Sequence, residues 1–303
     1  MPIPDSQLLR WSNQGATQQS QNTYASIRYA LSSSFHVSGK PFDIYLQGSY
    51  ANATNIRADS DVDIVAELTS SEWNNLHAFP AYQRSSQESS GKSAEETWRE
   101  FRESVISALT AHYGAGVIEA KNRCVRVRGN NSRLQADVVV CLTYRHYTRY
   151  HSAYDKKSGL GITFIDLETN RWIDNFPKLH RDNGSAKNQY TRTRENYKPT
   201  IRMFKNARNR LIDRGQLSQS TAPSYFVESL LYNVPDPQFQ ATRQARYQGI
   251  LSWLDQKLAT NAAQTFECQN EQDTLFGTQT TQWNPDDARM LVRGLQNLWQ
   301  TYR

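Results

Sequence analysis

Asp61 and Asp63 stand two residues apart in Asp61-Val62-Asp63-Ile64-Val65, and a third acid, Asp137, stands in Gln135-Ala136-Asp137-Val138-Val139-Val140. Acids alternating with Val and Ile predict a strand in each segment. Asp61 and Asp63 then face one side, and Val62 and Ile64 the other. Carboxylates are poor strand formers and costly beside an apolar core unless a cation compensates them. Three of them on neighbouring strands make an oxygen-rich site suited to Mg²⁺ or Mn²⁺. Two such ions can activate an attacking hydroxyl and stabilise a leaving pyrophosphate. Upstream, Leu46-Gln47-Gly48-Ser49 ends another strand candidate. There Gly48 permits a tight turn and close approach to a phosphate, and Ser49 offers a hydroxyl and an N–H where a triphosphate tail could sit. A lone Gly-Ser is an ordinary turn, and a lone Asp-x-Asp is usually solvated or a cap. The ordered set carries the chemistry: strand, Gly-Ser, eleven residues, Asp-x-Asp between apolar residues, then an Asp on a Val-rich strand.

The elements that must position these residues are legible in outline. Residues 17–34 place Tyr24, Ile27 and Leu31 on one helix face. Phe42-Asp43-Ile44-Tyr45-Leu46 alternates as a short strand. A serine-rich loop is expected at 81–92, and Ser93-Ala94-Glu95-Glu96 has the form of a capping box opening a helix to about Tyr113. Further strands are expected at 116–120, 124–128, 134–142 and 161–167. Helices follow at 190–213, 223–232, 240–258 and 285–301, the last with Asn284 as N-cap and Pro285 at its first position. The pattern predicts an α/β (α+β) protein of two lobes. Residues 1–175 carry a mixed, twisted sheet with an N-terminal helix, and 176–303 form a helical lobe; a single bilobal unit fits equally well.

Composition bounds the function classes. The 303 residues allow two ordinary domains or one large one. A hydrophobic content of 38% with 7 Trp, 16 Tyr and 11 Phe excludes general disorder. No apolar run approaches the ~20 residues that cross a bilayer, and residues 1–10 show no signal-peptide pattern, so a cytoplasmic protein is expected. Cys124, Cys141 and Cys268 form no C-x-x-C pair, which speaks against a disulfide framework or zinc knuckle. A net charge of +6 suits an anionic small ligand as well as nucleic acid. Arg123, Arg126, Arg128 and Arg133 alternate along a hairpin and could track RNA, although such a row is more often a solvated strand face. His151 and His180 lack metal-ligand spacing and read as structural or exposed.

Gly48-Ser49 followed by Asp61-x-Asp63 and Asp137 resembles the DNA polymerase beta-like nucleotidyltransferase superfamily. Within it, residues 47–68 (QGSYANATNIRADSDVDIVAEL) resemble the CD-NTase family, the bacterial relatives of cyclic GMP-AMP synthase. Asn175-Phe176-Pro177-Lys178-Leu179-His180, Asn183-Gly184 and Lys187-Asn188 resemble the family's linker between lobes. Its helical lobe is matched by Tyr197-Lys198-Pro199, Arg202-Met203-Phe204-Lys205 and Pro223-Ser224-Tyr225-Phe226-Val227-Glu228. The resemblance implies that Asp61 and Asp63 bind two Mg²⁺ or Mn²⁺ ions and that Asp137 completes the site and helps deprotonate a ribose hydroxyl. Ser49, after Gln47 and Gly48, would contact the donor's β and γ phosphates. Lys205 would neutralise the triphosphate, Ser224 would add a hydroxyl to it, and Tyr225 would stack on a base. By their place after the Gly-Ser turn, Asn52, Thr54 and Asn55 could reach a base edge, as could residues around Tyr225. The implied activity is cyclisation of nucleoside triphosphates into a di- or trinucleotide messenger, read by a separate effector protein in CBASS anti-phage defence, under a helical lobe that closes over the nucleotides. The chain lacks the His/Cys insertion of cyclic GMP-AMP synthase, so zinc-dependent DNA binding is not expected. Separately, a monomer is the expected state. The competing readings are a linear oligonucleotide synthase, an RNA- or protein-modifying nucleotidyltransferase, and a nucleotide-binding module without catalysis.

Overall fold

A computed structural model describes residues 1–56, 61–80, 92–152, 154–279 and 281–302. The expected serine-rich loop, apart from Lys92, lies outside the described residues. The chain divides into two compact units. A sheet unit comprises Ala16–Ala51 and Ala58–Leu179, and a helical unit comprises Met1–Gly15, Asn52–Arg57 and His180–Arg303. This differs from a simple cut after residue 175, because the N-terminal segment and a short stretch after the Gly-Ser turn pack with the helices.

In chain order the elements are α1 (Asp5–Ser12), α2 (Gln18–Ser32), β1 (Phe42–Leu46), α3 (Gly48–Ala51), β2 (Val62–Asn74) and α4 (Ala94–Tyr113). Then come β3 (Ile118–Ala120), β4 (Val125–Val127), β5 (Ala136–Tyr150), β6 (Lys156–Asp166) and β7 (Arg171–Asn175). The helices α5 (Pro177–Lys187), α6 (Tyr190–Thr193), α7 (Tyr197–Asp213), α8 (Ser224–Tyr232), α9 (Arg243–Leu258) and α10 (Pro285–Gln300) complete the chain.

The seven strands form one mixed sheet in the order β1-β2-β5-β4-β3, with β6 on β5 and β7 on β6. Only β2 and β5 run parallel, and every other pair is antiparallel. β5 is long enough to hold β4 against its first residues and β6 against its last on the same edge. Strand alternation sends Val62, Ile64, Ala66 and Leu68 into a core shared with Ile27 and Leu31 of α2 and Trp98, Phe101, Val105 and Leu109 of α4. Trp98 is fixed there by donating its indole N–H to the Val140 carbonyl at 2.8 Å. The Ser93 capping box forms as expected, with Ser93 and Glu96 satisfying each other's backbone N–H. In the helical unit, Tyr197, Ile201, Phe204 and Leu211 of α7 pack with Phe226 and Leu230 of α8, Tyr247 and Leu254 of α9, Leu291 and Leu295 of α10, and Leu8 and Trp11 of α1.

Two departures have local causes. The single helix expected over 190–213 breaks between α6 and α7, where Arg194 and Glu195 take left-handed φ of 51° and 60°. Pro199 lacks an N–H and would interrupt a continuous helix, whereas a start at Tyr197 leaves it in the first turn. Asn183-Gly184, in the stretch that resembles a linker between lobes, lies instead in the interior of α5. Gly184 serves close packing there, because a Cβ at this position would run into the Gln269 amide.

Candidate active site

The expected acids gather at one end of the β2–β5 pair. Asp63 lies opposite Asp137 across the parallel ladder, and Asp137 lies opposite Arg126 across the antiparallel β4–β5 ladder. Residues opposite one another in a ladder share a face, so three strands place Asp63, Asp137 and Arg126 in one row. Asp61 precedes β2 by one residue, with its side chain 44% exposed. Its Oδ2 accepts from Gln135 Nε2 at 2.8 Å. Arg126 grips Asp137 with both arms of its fork, Nε to Oδ1 at 2.8 Å and Nη2 to Oδ2 at 2.9 Å. The same Nη2 lies 3.8 Å from Asp61 Oδ2.

Asp63 has no cationic partner among the described residues. Burial, reinforced by the charges of Asp137 and Asp61, pushes its carboxyl up to about 6. Gly48 packs directly on this group. Its φ is +66°, and a Cβ there would collide with Asp63 Oδ2 and lie 3.2 Å from Cγ. The Gln47 N–H donates to the Asp63 carbonyl at 2.9 Å, so the Gln47-Gly48 turn is fastened to Asp63 at backbone and side chain alike. Ser49 follows, half-buried, its hydroxyl without a hydrogen bond among the described residues. Cys124 adjoins Asp137, and burial together with that carboxylate pushes its thiol up to about 12, so it stays neutral.

The structure therefore brings together Asp61, Asp63, Asp137, Gln47, Gly48 and Ser49 in the sheet unit. Asn55, Lys205, Ser224 and Tyr225 belong to the helical unit. Asn55 is buried, donating to the Gly15 carbonyl at 3.1 Å and accepting from Gln14 at 2.8 Å, which fastens the N-terminal segment. Lys205 is also buried, and its ammonium pairs with Glu228. The role implied for it, neutralising a triphosphate, would require that pair to open. Ser224 opens α8 with an exposed side chain. Tyr225 stacks on His180 at a centroid distance of 4.7 Å and on Trp283 at 5.7 Å.

Sequence reasoning missed Arg126 and Glu228. The four hairpin arginines are not a bare solvated row. Arg123 pairs with Asp166, Arg126 with Asp137 and Arg128 with Glu119, while Arg133 lies over the Tyr113 ring at 4.2 Å. Glu228 carried a usable signal, a lone acid among Phe226, Val227, Leu230 and Leu231, the same signal that marked the aspartates.

A mixed sheet that presents paired acids beside a Gly-Ser turn, in a chain with a separate helical unit, is the framework of a nucleotidyltransferase. The C-terminal helical domain of cGAS/DncV-like nucleotidyltransferases matches residues 182–300. Over 299 residues the chain is 45% identical to a cyclic UMP-AMP synthase of Rhodothermus marinus, covering 99% of this chain and 98% of that protein. It is 37% identical over 306 residues to a cyclic nucleotide synthase of Staphylococcus haemolyticus, covering 100% of both. A solved structure of the Rhodothermus marinus CdnE c-UMP-AMP synthase with Apcpp and Upnpp matches with a TM-score of 0.88 at 43% identity, over 99% of this chain and 98% of that one. The chain belongs to the cGAS/DncV-like nucleotidyltransferase family, among the cyclic nucleotide synthases of the CdnE clade. Among the described residues no helix is long and apolar enough to cross a membrane.

Gly48→Ala tests the turn directly. The added methyl must displace either the Asp63 carboxylate or the strained turn, at a cost of about 1–3 kcal/mol. A shift of even an ångström at such a centre lowers the rate roughly 100-fold. The expected result is a folded protein by circular dichroism with that loss in nucleotidyl transfer.

Proposed function

We propose that the protein joins two nucleoside triphosphates into a cyclic dinucleotide. The ribose hydroxyl of one attacks the α-phosphate of the other and releases pyrophosphate, and the linear product then closes by the same step with loss of a second pyrophosphate. The observation that carries this reading is the cross-strand register of Asp63 with Asp137, with the Gly48 turn packed on Asp63. The donor set fits Mg²⁺ or Mn²⁺, two ions when loaded. Its ligands are hard carboxylate oxygens, Asp63 has no cationic partner among the described residues, and Asp137 already draws a guanidinium. When bound, such ions supply positive charge to the attacking hydroxyl and the leaving pyrophosphate.

The chain's own residues do the rest. Asp61, Asp63 and Asp137 hold and orient, and Asp137 receives the proton of the ribose hydroxyl. Ser49 donates its free hydroxyl to the β and γ phosphates. Ser224 serves phosphate, and Tyr225 serves a base. Identity to a cyclic UMP-AMP synthase favours a uracil–adenine ring as the first product to seek. The product would be a cytoplasmic messenger read by a separate effector in anti-phage defence, made by a monomeric enzyme.

Incubation with all four nucleoside triphosphates and Mg²⁺, followed by phosphatase treatment and mass spectrometry, tests the proposal. A phosphatase-resistant product at the mass of a cyclic dinucleotide supports it. Only linear products, or none, overturn it in favour of an oligonucleotide synthase or an inactive binding module.

A further inference from the structure

The three aspartates are not equivalent in this structure, and the difference comes from one hairpin. Arg126 of β4 and Gln135, the residue before β5, both reach the acids. Arg126 occupies both oxygens of Asp137, and Gln135 occupies Oδ2 of Asp61. Asp63 is left without a cation among the described residues. Among the described residues no three His, Cys, Asp or Glu side chains are grouped closely enough to hold a metal ion. A bidentate guanidinium–carboxylate pair is geometrically specific and about twice as strong as a neutral hydrogen bond. Here it is partly shielded, with Arg126 29% and Asp137 19% exposed at the side chain. A divalent ion that takes Asp137 competes with these two hydrogen bonds for its oxygens and meets the guanidinium charge beside them. On its β3 side Arg126 meets no vacant acid. Glu119, its opposite on β3, is held by Lys121 at 2.5 Å and by Arg128.

We propose that Arg126 is the resident counter-cation of the acidic trio, a positioning residue that holds Asp137 in the nucleotide-free protein and competes with divalent ions for it. This rests on reading the aspartates as the ion site. Ion loading is then weak until a triphosphate arrives, because the triphosphate supplies both the anionic charge that draws the guanidinium away and extra oxygen ligands for the ions. The free enzyme is protected from stable, unproductive occupancy by ions alone. Arg126 thereby couples loading of the site to nucleotide binding.

The test measures Mn²⁺ binding to nucleotide-free protein by the electron paramagnetic resonance of free aquo-Mn²⁺, a readout independent of turnover. Arg126→Gln is expected to bind Mn²⁺ about tenfold more tightly than the unmodified chain. Arg126→Lys falls between, because a point charge cannot close both Asp137 oxygens. With a non-hydrolysable triphosphate analogue present, the three affinities converge. Equal or weaker Mn²⁺ binding by Arg126→Gln overturns the inference, because the arginine then does not compete with divalent ions for Asp137. Should that variant not fold, Arg126→Lys decides alone, and an unchanged affinity overturns the inference. Asp63→Asn separates the two levels. If it binds Mn²⁺ as well as the unmodified chain, the reading of the aspartates as the ion site fails, whatever the arginine variants do.

Discussion

Asp63→Asn is expected to reduce cyclic nucleotide synthesis by about 1,000-fold or more, equivalent to roughly 4 kcal/mol of transition-state stabilisation, while making the metal-free protein more stable at neutral pH. The two effects share one cause. Asp63 is held against Gly48, beside two other acids and with no compensating cation among the described residues, and its carboxyl rises from 3.8 to about 6. In the folded chain it retains its proton between those values, whereas the unfolded chain has released it. Stability contributed by this group therefore falls as pH rises from about 4 to 6, and above 6 the folded protein carries a constant penalty of up to roughly 3 kcal/mol. The amide removes both the penalty and the slope, together with the ligand oxygen that the chemistry needs, an exchange of stability for activity common at such sites. Initial rates with Mg²⁺, and thermal unfolding in EDTA at pH 5 and 7.5, check both halves. Retained synthesis in the variant would place the chemistry elsewhere, and an unfolding midpoint lower than that of the parent at pH 7.5 would contradict the electrostatic account.

What the amino-acid order discloses depends on the range of the interaction. The strands bearing Asp63 and Asp137 are visible because acids alternate with Val and Ile, and the Ser93 cap and the Asn284-Pro285 start of α10 are visible because capping is local. β5 runs on to Tyr150, past its expected end, because the residues there are Thr, Arg, His and Tyr, whose polarity resembles a loop until β6 pairs with them, and β2 runs on to Asn74 beside it. α5 is hidden by Gly184, which reads as punctuation until Gln269 is seen against it. At the site the same rule holds. The acids and the Gly-Ser turn announce themselves by type, but the grip of Arg126 on Asp137 depends on the β4–β5 register, which no local pattern specifies. Glu228 gathers partners from segments as far apart as Thr54, His180 and Lys205, so its environment exists only in the fold.

That Glu228 network supports the second large effect. Glu228 is buried and accepts from Lys205, from Thr54 Oγ1 at 2.8 Å, from His180 Nε2 at 2.8 Å and from Asn52 Nδ2 at 3.3 Å. Burial alone would raise its carboxyl, yet the Lys205 ammonium and the His180 hydrogen bond outweigh it and hold the group well below the usual carboxylate range. Lys205→Met strands the carboxylate in the helical core, and the expected loss is about 3–5 kcal/mol of stability by denaturant unfolding. Removing both charges with Lys205→Met and Glu228→Leu should recover most of that loss, since a paired buried charge is commonly replaceable by packed apolar groups. The pH dependence has the opposite sign to that of Asp63. A depressed folded pKa contributes stability that is complete above the ordinary value of 4.5 and is lost as pH falls below it, so the parent loses stability more steeply in acid than the double variant. The double variant also separates the two roles of Lys205. If the fold is restored and the Michaelis constant for nucleoside triphosphates is unchanged, the lysine acts only through Glu228. If the fold is restored and that constant rises about tenfold or more, its ammonium also meets the triphosphate, and the buried pair is one of two positions it occupies.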